Sequence, residues 1–266
     1  MPTKRWVVWA CAGWIAGAAA VMAQPHSGQA TTAAKTTDSP ADGEKNARES
    51  FVSVVSESRT ALAKVRDYTC TFTRQELING KISAEQVAEM KVRTNPIGVY
   101  VRFARPESVA GMEVAYSATR KADRMRYRPA GVAGAKGFQT LELNDPKFLT
   151  ANRHPVTQWT MAAILDRVAA AVAREKTLNN PIEVYRSDYQ FAGRNVVRYE
   201  VLLRRPHAFR TAYQMLVYID KETKLPLRYE AYDQPKPGTH SGDLIESYSF
   251  SDVKLNVGLG ENTFDY

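Results

Sequence analysis

Arginines carry the most suggestive chemistry in this 266-residue chain. Arg124, Arg126 and Arg128 alternate with Met125 and Tyr127, so in an extended strand all three guanidinium groups leave on one face. Planar guanidinium forks suit phosphate and carboxylate oxygens. Two readings fit: a solvated outer sheet face, or contact with anionic groups such as phospholipid or lipopolysaccharide phosphates. Arg194, Arg198, Arg204, Arg205 and Arg210 make a second basic region. Arg153 stands in Asn152-Arg153-His154-Pro155, just ahead of an expected helix. The free N–H groups and partial positive charge of a helix start would add to an anion site there; an ordinary polar loop is the plainer alternative.

Other reactive groups are sparse. His26, His154, His207 and His240 are far apart, with no H-E-x-x-H pattern and no paired cysteines, so no metal site is expected. There is no G-x-S-x-G elbow and no Walker loop, and Gly131, Gly134 and Gly137 read as a mobile connection. Glu76, Glu113, Asp166 and Glu200 are scattered, and a glycosidase-type acid pair would need two of them to converge. Cys70 alternates with Tyr68 and Phe72 and reads as a small buried apolar side chain; an intermolecular bridge or a reactive thiol are the alternatives.

The elements that must position these groups begin after an address. Lys4 and Arg5 precede an apolar run from Trp6 to Val21 that closes on Val21-Met22-Ala23, the form of a secretory signal peptide over 1–23, with cleavage after Ala23. The run is short for a membrane span, and too few apolar residues precede Cys11 for lipid attachment. Cleavage leaves Cys70 as the single thiol, which excludes an internal disulfide. Residues 24–46 hold no large apolar side chain and read as a flexible linker. The domain is then 47–266. At 44% apolar composition the whole chain can bury one core, and the 15 Gly and 13 Pro of its 266 residues fit neither a collagen-like nor a wholly disordered chain. A net charge of +8 would also suit nucleic acid, but an exported protein rarely meets nucleic acid or nucleotide cofactors, so neither is expected.

Within the domain the hydrophobic period changes in order. Asn46 and Glu49 resemble a helix start, and Phe51, Val54, Val55, Leu62 and Val65 predict an amphipathic helix over 47–66. Alternation from Asp67 onward predicts a strand ending at an Asn79-Gly80 hairpin turn. Further strands are predicted over 84–94, 97–105, 111–118 and 122–129. Met161, Ile164, Leu165, Val168 and Val172 make the stripe of a second helix from Thr157 to about Glu175. Strands follow over 182–191, 195–204, 212–220, 225–232 and 244–253. Short connections at Ala192-Gly193 and Lys221–Lys224 force antiparallel pairing. The fold class is α+β: about ten antiparallel strands curved around two helices.

The C-terminal quarter carries a family signal. MLVYIDKETKLPLRYEAYD (215–233) and YSFSDVKLNVGLGENTF (248–264) resemble the closing hairpin and last strand of the LolA-like periplasmic lipoprotein carriers, through Tyr218, Ile219, Asp220, Leu225, Pro226, Phe250, Asp252, Asn256 and Phe264. Residues 68–82, 91–103 and 152–158 look like an exported family of unknown function within that superfamily. The resemblance implies an incomplete antiparallel barrel wrapped around helices, an apolar cavity for acyl chains, no catalysis and no cofactor. Phe72, Phe103, Met161, Ile164, Leu165, Val168 and Val172 would line the cavity, with plain core packing as the alternative for the Met161–Val172 stripe, and Arg124, Arg126, Arg128 and Arg153 would meet anionic head groups. The expected function is a monomeric periplasmic carrier or sensor of a lipid or acylated protein. The alternatives are an exported protein-interaction module, or an envelope hydrolase using residues such as Glu76, Glu113 and Glu200.

Overall fold

The computed structural model describes residues 40–204, 210, 212–239 and 241–265. The expected leader, most of the expected linker, and Cys11, His26, Arg205, His207 and His240 lie outside them. Helix α1 (Pro40–Ala63) starts earlier than the expected 47, so Asn46 and Glu49 sit inside it. Proline is tolerated in a first helical turn, where its missing N–H has no intrahelical partner in any case. The helix also stops before 66: Val65 N donates to Leu62 O at 3.0 Å and the chain then extends into a strand.

Strand β1 (Asp67–Ile78) alternates as expected, with Tyr68, Cys70, Phe72, Arg74 and Glu76 all turned into the protein. Asn79 and Gly80 have φ of 50° and 77°, the left-handed pair that a tight hairpin turn needs, and lead into β2 (Lys81–Ile82). The first half of the sheet continues with β3 (Gln86–Arg93), β4 (Gly98–Arg105), β5 (Glu113–Ser117), β6 (Arg124–Arg128) and β7 (Gln139–Glu142). The glycine segment forms a 3-10 turn over 131–136 rather than a plain loop, and neither β7 nor the short α2 (Pro146–Leu149) was foreseen.

A 3-10 turn (Val156–Trp159) leads into α3 (Met161–Thr177), which starts later than Thr157 because the Thr160 hydroxyl caps it, accepting from Ala163 N at 3.2 Å. Then come β8 (Glu183–Phe191), β9 (Arg194–Leu202), β10 (Gln214–Asp220), β11 (Pro226–Tyr232) and β12 (Leu244–Leu255), followed by a last 3-10 turn (Glu261–Phe264).

The strands form one antiparallel sheet in the order β7-β6-β5-β4-β3-β1-β12-β11-β10-β9-β8, with β2 attached to β1. The order does not close, so the sheet is an open trough, the incomplete barrel expected. Its two halves meet at β1 and β12, where Phe72 faces Phe250, Arg74 faces Tyr248 and Glu76 faces Glu246. α1 packs on β8 and on α3. On the outer face Tyr100, Ala115 and Phe264 form a separate small cluster. There the Phe264 ring sits so close to Gly98 that a Cβ at that position would meet it at 3.0 Å.

Candidate functional site

The segment 152–160 runs along the inner face of β1 and decides what fills the trough. At one end Asn152 Oδ1 accepts from Arg74 Nη2 at 2.7 Å, and Arg153 N donates to Glu76 Oε2 at 3.1 Å. At the other, Met161 N donates to the Tyr68 hydroxyl at 3.2 Å. Between them Trp159 is fully buried, with its ring centroid 6.3 Å from that of Phe72, 6.3 Å from Phe103 and 5.9 Å from Phe148.

This corrects the expected cavity. Phe72, Phe103, Met161, Ile164, Leu165 and Val168 are buried and Val172 is half-buried, and all seven belong to one packed core. The large indole supplied by 152–160 takes the central volume, and the clefts described below are lined by other side chains.

Beside Trp159 lies a buried polar network. The Arg74 guanidinium lies in the corner of two perpendicular rings, 4.1 Å from the Trp159 centroid and 4.8 Å from that of Phe103, and Arg74 Nε donates to Gln86 Oε1 at 2.8 Å. Glu76 pairs with Arg74 at 3.6 Å and accepts from the Tyr248 hydroxyl. Glu246 gathers three basic side chains: His154 at 2.6 Å, Arg167 at 2.8 Å and Arg153 at 3.4 Å. Burial alone would raise the Glu246 pKa. The His154 hydrogen bond and the charges of Arg167, His154 and Arg153 outweigh it and bring the carboxyl down to about 2.

Arg153 is therefore ion-paired rather than free beside a helix start. Two of the first amides of α3 are themselves taken, Met161 N by the Tyr68 hydroxyl and Ala163 N by that of Thr160. Of the carboxylates considered from the sequence, Glu76 alone joins this network. Glu113 binds Tyr100 (2.6 Å) and Arg128 (3.1 Å), Glu200 accepts from Gln214 (2.6 Å), and Asp166 pairs with Arg59 (2.6 Å). Cys70 is buried as expected, and burial pushes its thiol pKa up.

Arg74, Gln86, Trp159, Arg167, Glu246 and Tyr248 had no expected role, and Asn152 and His154 entered only as neighbours of Arg153. Parity was the usable signal: Arg74 and Glu76 continue the 68, 70, 72 series, and Glu246 and Tyr248 share the parity of Phe250.

Two clefts open at the Tyr68 end of the trough. The first, about 360 Å³, lies between the end of α1, the start of α3 and the β3–β4 turn. Its walls include Leu62, Tyr68, Val92, Ile97 and Ala162, and the exposed Arg59–Asp166 pair spans α1 and α3 beside it. The second, about 380 Å³, is on the outer face between Arg120, Lys121, Arg124, Arg126 and Phe264. The arginine stripe of β6 divides here. Arg128 goes to Glu113; Arg124 stays near Asp123 (3.6 Å) and Glu142 (3.7 Å); Arg126 lies over the Phe138 ring at 5.6 Å. Lys121 and Arg126 have no carboxylate partner among the described residues. The two clefts adjoin through the sheet, since Ala118 N, beside the basic turn, donates to Ile97 O at 3.0 Å.

The second basic region is largely neutralised. Arg194 binds Asp220 (2.7 Å), Arg204 binds Glu183 (2.7 Å) and Arg210 binds Glu175 (2.6 Å), while Arg198 donates to Ser187 (3.1 Å). Among the described residues no group of His, Cys, Asp and Glu is arranged to hold a metal ion, and no helix is long and apolar enough to cross a membrane.

Fold and site together define an incomplete antiparallel barrel with a packed centre and clefts at one end. The family described as "Protein of unknown function (DUF1571)" matches residues 65–266, well over half of the chain, and the chain belongs to it. No curated protein matches the chain. Among solved structures, an uncharacterized conserved protein from Thermus thermophilus is similar at 10% identity and a TM-score of 0.47, over 82% of this chain and 93% of that one. The lipoprotein LppX of Mycobacterium tuberculosis is similar at 12% identity and 0.46, over 80% and 98%. A LolA superfamily protein of Nitrosomonas europaea is similar at 10% identity and 0.32, over 81% and 97%.

Proposed function

We propose that this protein is exported to the periplasm or cell envelope and there binds the acyl chain of a lipid or of an acylated protein, as a carrier or sensor without catalysis. The observation that carries this reading is the apolar cleft between α1, α3 and the β3–β4 turn, bordered by a basic cleft on the other side of the same sheet end. Its volume of about 360 Å³ falls within the roughly 300–1,000 Å³ of small-molecule sites. Each methylene buried is worth about 0.8 kcal/mol, so even six of them supply about 5 kcal/mol toward holding a guest. Arg126 and Lys121, with the exposed Arg124, whose carboxylate neighbours Asp123 and Glu142 are themselves exposed to solvent, keep the head-group role. Arg128 and Arg153 do not, because Glu113 and Glu246 already engage them.

The test is native mass spectrometry of protein purified from its own envelope, followed by titration with palmitate and with phosphatidylglycerol vesicles. Ala162 is exposed on the cleft wall, so Ala162→Phe fills the site without touching the core. Wild type is expected to carry or take up lipid, and A162F to bind at least about tenfold more weakly. A protein that is lipid-free and indifferent to both probes, or an A162F variant that binds as wild type does, refutes the reading. Export is checked separately by N-terminal sequencing, which should begin at Gln24.

A further inference from the structure

The sheet has a split in its middle. β11 pairs with β12 from Tyr232 opposite Leu244 to Arg228 opposite Ser249, and there the pairing ends. β12 itself continues to Leu255, held on its other side by β1, which pairs with it as far as Tyr68 opposite Leu255. Two features part the strands. β11 begins at Pro226, which has no N–H to give to a ladder. β12 carries a bulge in which Asp252 and Val253 stand opposite the single Cys70, with Asp252 in the left-handed region at φ 52°. Phe250–Leu255 thus present one backbone edge with no strand beside it among the described residues, a short extended stretch on either side of the bulge at Asp252.

The space beside that edge is a groove of about 390 Å³ whose walls include Leu225, Leu227, Phe250, Val253 and Leu255. Its charges are unequal. Arg194 is held by Asp220 and Glu222; Asp252 is exposed and accepts from the Thr71 hydroxyl at 2.9 Å while keeping its negative charge; Lys254, two residues on, is exposed and has no carboxylate partner among the described residues. An unpaired backbone edge selects an extended polypeptide, an apolar floor selects apolar side chains on one face of it, and a free lysine selects an acidic one.

We propose that the split between β11 and β12 is a docking site for an extended segment of a partner protein, which pairs with Phe250–Leu255 as an added strand and sets an acidic side chain against Lys254. This site is separate from the apolar cleft of the proposed function.

The test uses a fluorescein-labelled heptapeptide of alternating Val and Glu. Binding should raise its anisotropy and protect the amides of residues 250–255 from hydrogen exchange. Methylating alternate backbone nitrogens of the peptide should weaken it about tenfold. Lys254→Glu should weaken it about fivefold, while Lys147→Glu, a surface charge change on α2, leaves it unchanged. Full binding to A162F keeps this site apart from the acyl cleft; loss of peptide binding in A162F overturns the assignment. So does absence of binding, or binding indifferent to N-methylation or to K254E. A Lys35–Lys254 cross-link in the peptide-free full chain also overturns it, by giving the groove to the chain's own leading segment.

Discussion

Glu246→Gln tests whether the buried polar network holds the trough together. The substitution keeps the shape of the side chain and removes one negative charge from beneath His154, Arg167 and Arg153. Glu246 is 3% exposed, so solvent screens little of the loss. Its carboxyl titrates near 2 in the folded protein against 4.5 ordinarily. At about 1.4 kcal/mol per pKa unit, that difference corresponds to roughly 3 kcal/mol at neutral pH. Breaking a buried ion pair from one side costs about the same, 3–5 kcal/mol. A domain of this size loses about 2–4 °C per kcal/mol, so E246Q should melt roughly 6–12 °C below wild type at pH 7.

The pH dependence fixes the cause. Because the folded-state pKa is depressed, the stabilisation is whole above the unfolded pKa and drains away as pH falls through 4.5 toward 2. Wild type should therefore lose stability over that window, and the gap to E246Q should close at its lower end. Urea titrations followed by circular dichroism at several pH values measure both. Equal midpoints at pH 7, or a gap that persists unchanged at about pH 2, would refute the assignment of this stability to the Glu246 carboxylate.

Two further substitutions probe how the filling segment and the outer face are held. Arg74→Met leaves Glu76, Gln86 and Asn152 without their guanidinium partner, so it should cost about 3–5 kcal/mol and speed hydrogen exchange across 148–158 more than across β10. Exchange that rises uniformly would argue against a local role. Gly98→Ala places a methyl 3.0 Å from the Phe264 ring and should cost about 1–3 kcal/mol by displacing the last turn, read as a lower urea midpoint; Phe264→Leu in the same chain should recover part of it.

The succession of strands and the antiparallel pairing of chain neighbours were legible because period-two alternation and short turns are local properties: Asn79-Gly80 favours a tight hairpin, the Ala192-Gly193 connection is too short for a crossover, and both adopt the left-handed pair of φ values. The contents of the trough were not legible, for a reason equally physical. Alternation places Arg74 and Glu76 on the same side of β1 as Phe72, but it does not say that β12 lies next to β1. Glu246, far downstream, meets Glu76 only through that long-range pairing. A buried charge reads as a surface charge until its partner is known. The resemblance, not the spacing, made the apolar stripe of α3 the wall of a cavity. The stripe belongs to one core with Trp159, a residue in a segment whose spacing carries no period. The consequence reaches function: a guest cannot occupy the centre without expelling an indole that the Arg74 guanidinium covers and the Tyr68 and Asn152 hydrogen bonds anchor at both ends. The Tyr68 end asks for no such displacement. There α1 and α3 already part, and an acyl chain would replace only solvent against Leu62, Val92 and Ile97.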